Sequence, residues 1–109
     1  KFYSYILNFY KNNNKHILSQ NQIGFMYMKG LGVDIDYKEA MKWFKLSAEH
    51  NFYAAQCNIG YMYKNGLGVD KDYQEAFKWY KLSADNNGRS ALYNMGYLYF
   101  NGFGVDKDY

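Results

Sequence analysis

Apolar residues recur at helical spacing along most of this chain, in two alternating patterns. Over about residues 53–65, Ala55, Ile59, Met62 and Tyr63 fall on one narrow stripe. Over about residues 73–85 the arc is broader. Tyr73, Ala76, Phe77, Trp79, Tyr80, Ser83 and Ala84 fill one side of the wheel, and Gln74, Glu75, Lys78 and Lys81 fill the other. Both patterns occur 36 residues earlier, over about 17–29 and 37–49, and the first returns over about 89–101. No stretch alternates with the period of two that a strand needs. Roughly 21 of 36 positions match between the two full copies, and a fixed period of this length marks a helical solenoid.

The expected organisation follows. Residues 17–52 and 53–88 are two full repeats and 89–109 begin a third. Residues 1–16 hold a degenerate last helix of a preceding repeat, Phe2 to Tyr10, and an Asn12-Asn13-Asn14-Lys15 turn. The expected fold is all-α, an α/α superhelix: a right-handed solenoid of antiparallel helix pairs with at least five helices and no strand. The pattern stops within a repeat at Asp108-Tyr109, so the chain is read as a fragment. Its last apolar stripe (Ala91, Met95, Leu98 and Tyr99) can then pack only against the preceding pair, and Phe100 and Phe103 add to an uncovered edge, prone to fray and to associate.

Punctuation marks agree with the two patterns. Gly30, Gly66 and Gly102 stand where a left-handed residue closes a helix, and Gly32, Gly68 and Gly104 let the loop turn again. Val33, Val69 and Val105 are expected to plug the loop into the core. Asp36 and Asp72, each three residues before Glu39 or Glu75, have capping-box spacing, with the glutamate able to reach back. Asn51 and Asn87-Gly88 suit helix ends. Gly24, Gly60 and Gly96 lie inside helices, where glycine costs on the order of 1 kcal/mol against alanine. Their return points to close helix packing. Trp43 and Trp79 are expected to be largely buried and to hold each pair together. Leu46 and Leu82 are expected to touch the adjoining repeat.

Composition narrows the function classes. The formal charge is only +3, with no concentrated basic face, so nucleic acid is not the expected partner. Cys57 is the only cysteine, which rules out an intrachain disulfide. With no signal or membrane-span pattern either, the expectation leans to a cytoplasmic location. The glycine loops lack the Lys-Ser/Thr of a phosphate loop, and Asp34/Asp36 and Asp70/Asp72 lack the continuation of a calcium loop. No metal and no cofactor are expected. With two separate histidines, His16 and His50, and no nucleophile–base pattern, neither is catalysis.

The Gly-x-Gly-Val loop, Asp-Tyr, Ala, Trp-aromatic and Ser-Ala at this period resemble the Sel1-like repeat family of tetratricopeptide-like proteins. The residues that carry the resemblance are Gly60, Tyr63, Gly66, Gly68, Val69, Asp72, Tyr73, Ala76, Trp79, Tyr80 and Ala84. Ser47 and Ser83 depart from it, standing where the family usually has alanine, and Asn51-Phe52 lacks the usual glycine. The resemblance implies a scaffold or adaptor that binds a protein or peptide on a concave face lined by the first helix of each pair. Some secreted, cysteine-rich relatives are linked to β-lactam binding, but this chain lacks their cysteine pairs.

The non-core side of those first helices carries four rows: Gln22/Asn58/Asn94, Phe25/Tyr61/Tyr97, Asn21/Cys57/Tyr93 and Met28/Lys64/Phe100. Amides can bond a peptide backbone and aromatic rings offer rigid contact area. The candidate partner-binding residues are Gln22, Phe25, Asn58, Tyr61, Lys64, Asn94 and Tyr97. The alternative is an RNA-binding repeat module, with aromatics stacking on bases. Against it, the repeated lysines Lys42, Lys45, Lys78 and Lys81 fall on the second helices, beside Glu39 and Glu75.

Overall fold

A computed structural model describes residues 1–103. Six helices follow in order: α1 (Phe2–Asn12), α2 (Ile17–Lys29), α3 (Tyr37–Ala48), α4 (Tyr53–Asn65), α5 (Tyr73–Asp85) and α6 (Arg89–Phe100). There is no strand among the described residues. Each helix packs on the next, most extensively within the pairs α2/α3 and α4/α5, which gives an elongated body of 49 × 24 × 19 Å. Gly104, Val105 and Asp108-Tyr109 lie outside the described residues.

Local chemistry sets the helix boundaries. Gly30 and Gly66 close α2 and α4 in the left-handed conformation. The following N–H folds back five residues, Leu31 to Met26 and Leu67 to Met62, as in a Schellman end. Phe103 to Leu98 repeats this after Gly102. Asp36 and Asp72 cap α3 and α5, each Oδ1 accepting from the N–H of Glu39 or Glu75 at 3.0 Å. The other half of the capping box is not made. The Asp36 and Asp72 N–H groups donate to the carbonyls of Tyr27 and Tyr63, which ties each loop to the helix before it. That leaves Glu39 free to accept from the Trp43 indole at 3.3 Å. Asn51 and Asn87 end the second helices with φ of 59° and 75°.

The rings that hold each pair together are not the tryptophans. Phe44 and Tyr80, one position later, are fully buried, whereas Trp43 and Trp79 are largely buried, as expected, but keep part of their surface exposed. A β-carbon on Gly24 would lie 2.7 Å from the Phe44 ring, and one on Gly60 2.8 Å from Tyr80. The glycines thus let the ring of the second helix press onto the backbone of the first. Trp43 and Trp79 instead reach back to earlier clusters. Trp43 packs on the one around Leu7, Ile23 and Met26, and Trp79 on the one around Phe44 and Ile59. An amphipathic indole seated between repeats keeps one edge in water.

Val33 and Val69 pack against the core as expected. Leu46 and Leu82 remain about two-fifths exposed (41% and 40%) among the lysines of α3 and α5. Phe103 is not on an open edge, since it stacks on Tyr73 with ring centroids 4.7 Å apart. Ser47 and Ser83 are fully buried and donate to the carbonyls of Ile17 and Tyr53 at 2.8 and 2.7 Å. Each fastens the end of a second helix to the start of its own first helix, a bond that alanine cannot make.

Two buried polar atoms lack partners among the described residues, Gln20 Oε1 and the Tyr80 hydroxyl. In the next repeat Gln56 Oε1 accepts from Asn86 at 3.1 Å, but the equivalent of Asn86 is His50, which is exposed. Burial pushes the Tyr80 phenol far above its ordinary value of 10.0, and nearby Cys57 and Tyr61 add to the shift.

The glycine–ring contact predicts opposite outcomes at equivalent positions. Gly60→Ala gains helix propensity, about 1 kcal/mol, but overpacks a site with no room, at a cost of ~1–3 kcal/mol. A β-carbon at Gly96 meets nothing within 4 Å, so Gly96→Ala keeps the gain. Thermal melts are expected to place Gly96→Ala above the parent and Gly60→Ala below it. The same order for both would remove the contact from the account.

Tyr80→Phe copies Phe44 and deletes the unmet hydroxyl, whose burial costs ~1–3 kcal/mol. Its melting temperature at pH 7 is expected to rise. The folded state also holds the Tyr80 proton more tightly than the unfolded chain does. Stability is therefore intact below the unfolded value of 10.0 and falls as pH rises above it. Urea melts from pH 8 to 11 are expected to show a shallower alkaline loss for Tyr80→Phe than for the parent.

Candidate functional site

The first helices α2, α4 and α6 share one side of the body, and direct contacts join their side chains across it. Asn58 Nδ2 donates to Asn21 Oδ1 at 3.0 Å, bridging α2 and α4. The Lys29 ammonium lies 5.9 Å from the Phe25 ring centroid and 5.8 Å from that of Tyr61. Lys64 lies 5.1 Å from the Tyr97 centroid. Each lysine so placed is attracted by the ring face, by about 0.5–1 kcal/mol at exposed sites. The result is a staircase of ring, cation, ring, cation, ring from α2 to α6.

At its centre is a hollow of about 200 Å³ lined by residues of all three helices, among them Phe25, Lys29, Cys57, Asn58, Tyr61 and Asn94. Burial pushes the Cys57 thiol above its ordinary value of 9.0, while a hydrogen bond from Asn94 and the charge of Lys64 pull the other way. The thiol therefore remains neutral at pH 7 and behaves as a small apolar lining group.

Of the candidates read from the sequence, Phe25, Asn58, Tyr61 and Asn94 meet around this hollow. Lys64 and Tyr97 form the next step along the face. Gln22 is exposed on the same helix but makes none of these contacts. Met28 does not belong to the open rows, because it is buried in the cluster with Ala40, Phe44 and Ile59. Its counterpart Phe100 is exposed. Lys29 escaped the row reading because its counterparts Asn65 and Asn101 share no chemistry with it. Its i, i+4 relation to Phe25 was the available signal.

The opposite side of the molecule differs in kind. On α3 and α5, Lys42 pairs with Glu39 at 3.5 Å, Lys78 with Glu75 at 3.9 Å and Lys81 with Asp85 at 3.3 Å. These are ordinary helix-surface pairs of small energetic weight. Among the described residues no group of three or more metal-ligating side chains converges. None of the described helices is long and apolar enough to cross a membrane.

Comparison with known proteins places this geometry. A family model described as Sel1 repeat matches residues 17–52, 54–88 and 89–109. A crystal structure of a Sel1 repeat protein from Oxalobacter formigenes superposes with a TM-score of 0.82 at 41% identity, covering 90% of this chain and 39% of that one. The crystal structure of c5321, a protective antigen of uropathogenic Escherichia coli strains displaying an SLR fold, gives a TM-score of 0.89 at 34% identity. It covers 96% of this chain and 23% of that one. The putative sel1-like repeat-containing protein L21 of Acanthamoeba polyphaga mimivirus is 44% identical over 45 residues, 41% of this chain and 8% of that protein. The chain thus spans well under half the length of each relative. Sel1 repeats are in general non-catalytic protein-interaction modules. With the profile matched over three consecutive stretches and the fold shared with solved relatives, this chain belongs to the Sel1 repeat family.

Proposed function

We propose that the chain is a non-catalytic scaffold that holds a peptide or protein segment along the side shared by α2, α4 and α6. In helical-repeat solenoids one helix of each pair lines an extended concave surface. The observation that carries the proposal is the contrast between the two sides. One has lysine–carboxylate pairs on α3 and α5, and the other has rings, amides and lysines linked from repeat to repeat. Amides at Asn58 and Asn94 can bond a partner's main chain. Rings at Phe25, Tyr61 and Tyr97 supply stiff apolar area at low entropic cost. Asn58 spends one donor on Asn21 and keeps its carbonyl for a partner. Gln22, exposed on α2, is left to contact a longer segment.

An affinity-capture experiment tests the proposal. The 109-residue chain, an Asn58→Ala/Tyr61→Ala/Tyr97→Ala variant and a Lys42→Ala/Lys78→Ala variant are used as baits, with circular dichroism confirming that each is folded. Truncating an interface anchor costs about 1–2 kcal/mol, so the triple variant is expected to lose captured proteins more than tenfold. The lysine variant is expected to keep them. Equal retention by both variants overturns the proposal.

A further inference from the structure

We infer that the segment held by this side is an acidic peptide in extended conformation. The inference rests on the proposal that α2, α4 and α6 form the partner surface. None of these helices contains an aspartate or glutamate, whereas each of α3 and α5 carries at least one. Their charges are Lys29, Lys64 and Arg89, all positive. Five acidic groups on the loops and second helices are spent there. Asp36 and Asp72 cap helices, and Glu39, Glu75 and Asp85 pair with lysines of α3 and α5.

No carboxylate among the described residues pairs with Lys29 or Lys64. Both rest on aromatic rings, which keeps the ammonium near the surface with donors to spare. The occupant that completes the site therefore brings its own carboxylates. Neighbouring helices lie about 10 Å apart, and a polyproline-II chain advances ~9 Å in three residues while returning to the same side. Acidic residues three apart in an extended peptide thus recur at about the spacing of successive helices, within reach of the flexible side chains of Lys29 and Lys64. The hollow beside Lys29, with Phe25 and Tyr61 in its walls, takes one apolar side chain of the peptide. Single-stranded nucleic acid is the poorer fit. Its affinity comes mainly from many phosphate contacts, and three cations are few. The ring faces that bases would stack on already carry the lysines.

Fluorescence anisotropy on the 109-residue chain provides the test. The probes are a labelled decapeptide with Glu at every third position and Leu, Ala and Ser between, its Gln and Lys analogues, and oligouridylate of the same length. The acidic peptide is expected to bind at least about tenfold tighter than the Gln analogue, and to weaken as salt screens the exposed charges. Lys29→Glu/Lys64→Glu is expected to reverse the preference towards the Lys analogue, and Lys42→Glu/Lys78→Glu to leave it unchanged, with circular dichroism confirming both folds. Equal or tighter binding of the Gln analogue through the same ladder overturns the acidic preference but leaves the scaffold proposal standing. Tighter binding of oligouridylate than of the acidic peptide overturns both. So does equal loss of acidic-peptide binding in the two charge-reversal variants.

Discussion

The contact between a helix backbone and a buried ring governs this structure. Gly24 under Phe44 and Gly60 under Tyr80 bring each helix pair closer than any side chain at those glycines would permit. Burying such a ring contributes about 1.5–3 kcal/mol through apolar area alone. The ring then serves two neighbours. Phe44 lies in one cluster with Ile59 and Met62 of the next repeat, so closing one pair also builds the seat for the next. Stability in such an array is the sum of each repeat and its interfaces.

That close approach also shapes the candidate surface. With the apolar stripes of α2 and α4 turned onto the rings, the other side of each first helix is left for rows of residues one repeat apart. Lys29 can then reach the rings of both Phe25 and Tyr61, and Asn58 can reach Asn21. The second helices have their long charged residues on the outer side, where local pairs engage Lys42, Lys78 and Lys81.

Much of the fold could be read from the chain because its determinants are local and repeated. Gly30, Gly66, Asp36 and Asp72 set boundaries through bonds within a few residues. What escaped depends on one residue of rotation about a helix axis. Trp43 and Phe44 fall in the same broad arc of the wheel, and only the place of Gly24 decides which is fully buried. Met28 sits at the border of its stripe and is covered by packing that periodicity does not specify. At the candidate site, rows of equivalent positions led to Asn58, Tyr61 and Tyr97. Lys29 pairs with rings across positions that do not repeat, so only three-dimensional placement revealed it. In the sequence Ser47 and Ser83 show only as departures from the family's alanine, because their partners are carbonyls thirty residues earlier.

The central claim is that partners bind the α2–α4–α6 side. Nuclear magnetic resonance mapping of a captured protein, or of its minimal segment, onto the isotopically labelled chain tests this most directly. The side-chain amides of Asn21, Asn58 and Asn94 give signals distinct from the backbone and report on the ladder itself. The account predicts that these amides, with the backbone around Phe25, Tyr61 and Tyr97, shift first and furthest on titration. Shifts centred instead on Leu46, Leu82 and the lysines of α3 and α5, with the three asparagine amides unmoved, would contradict it.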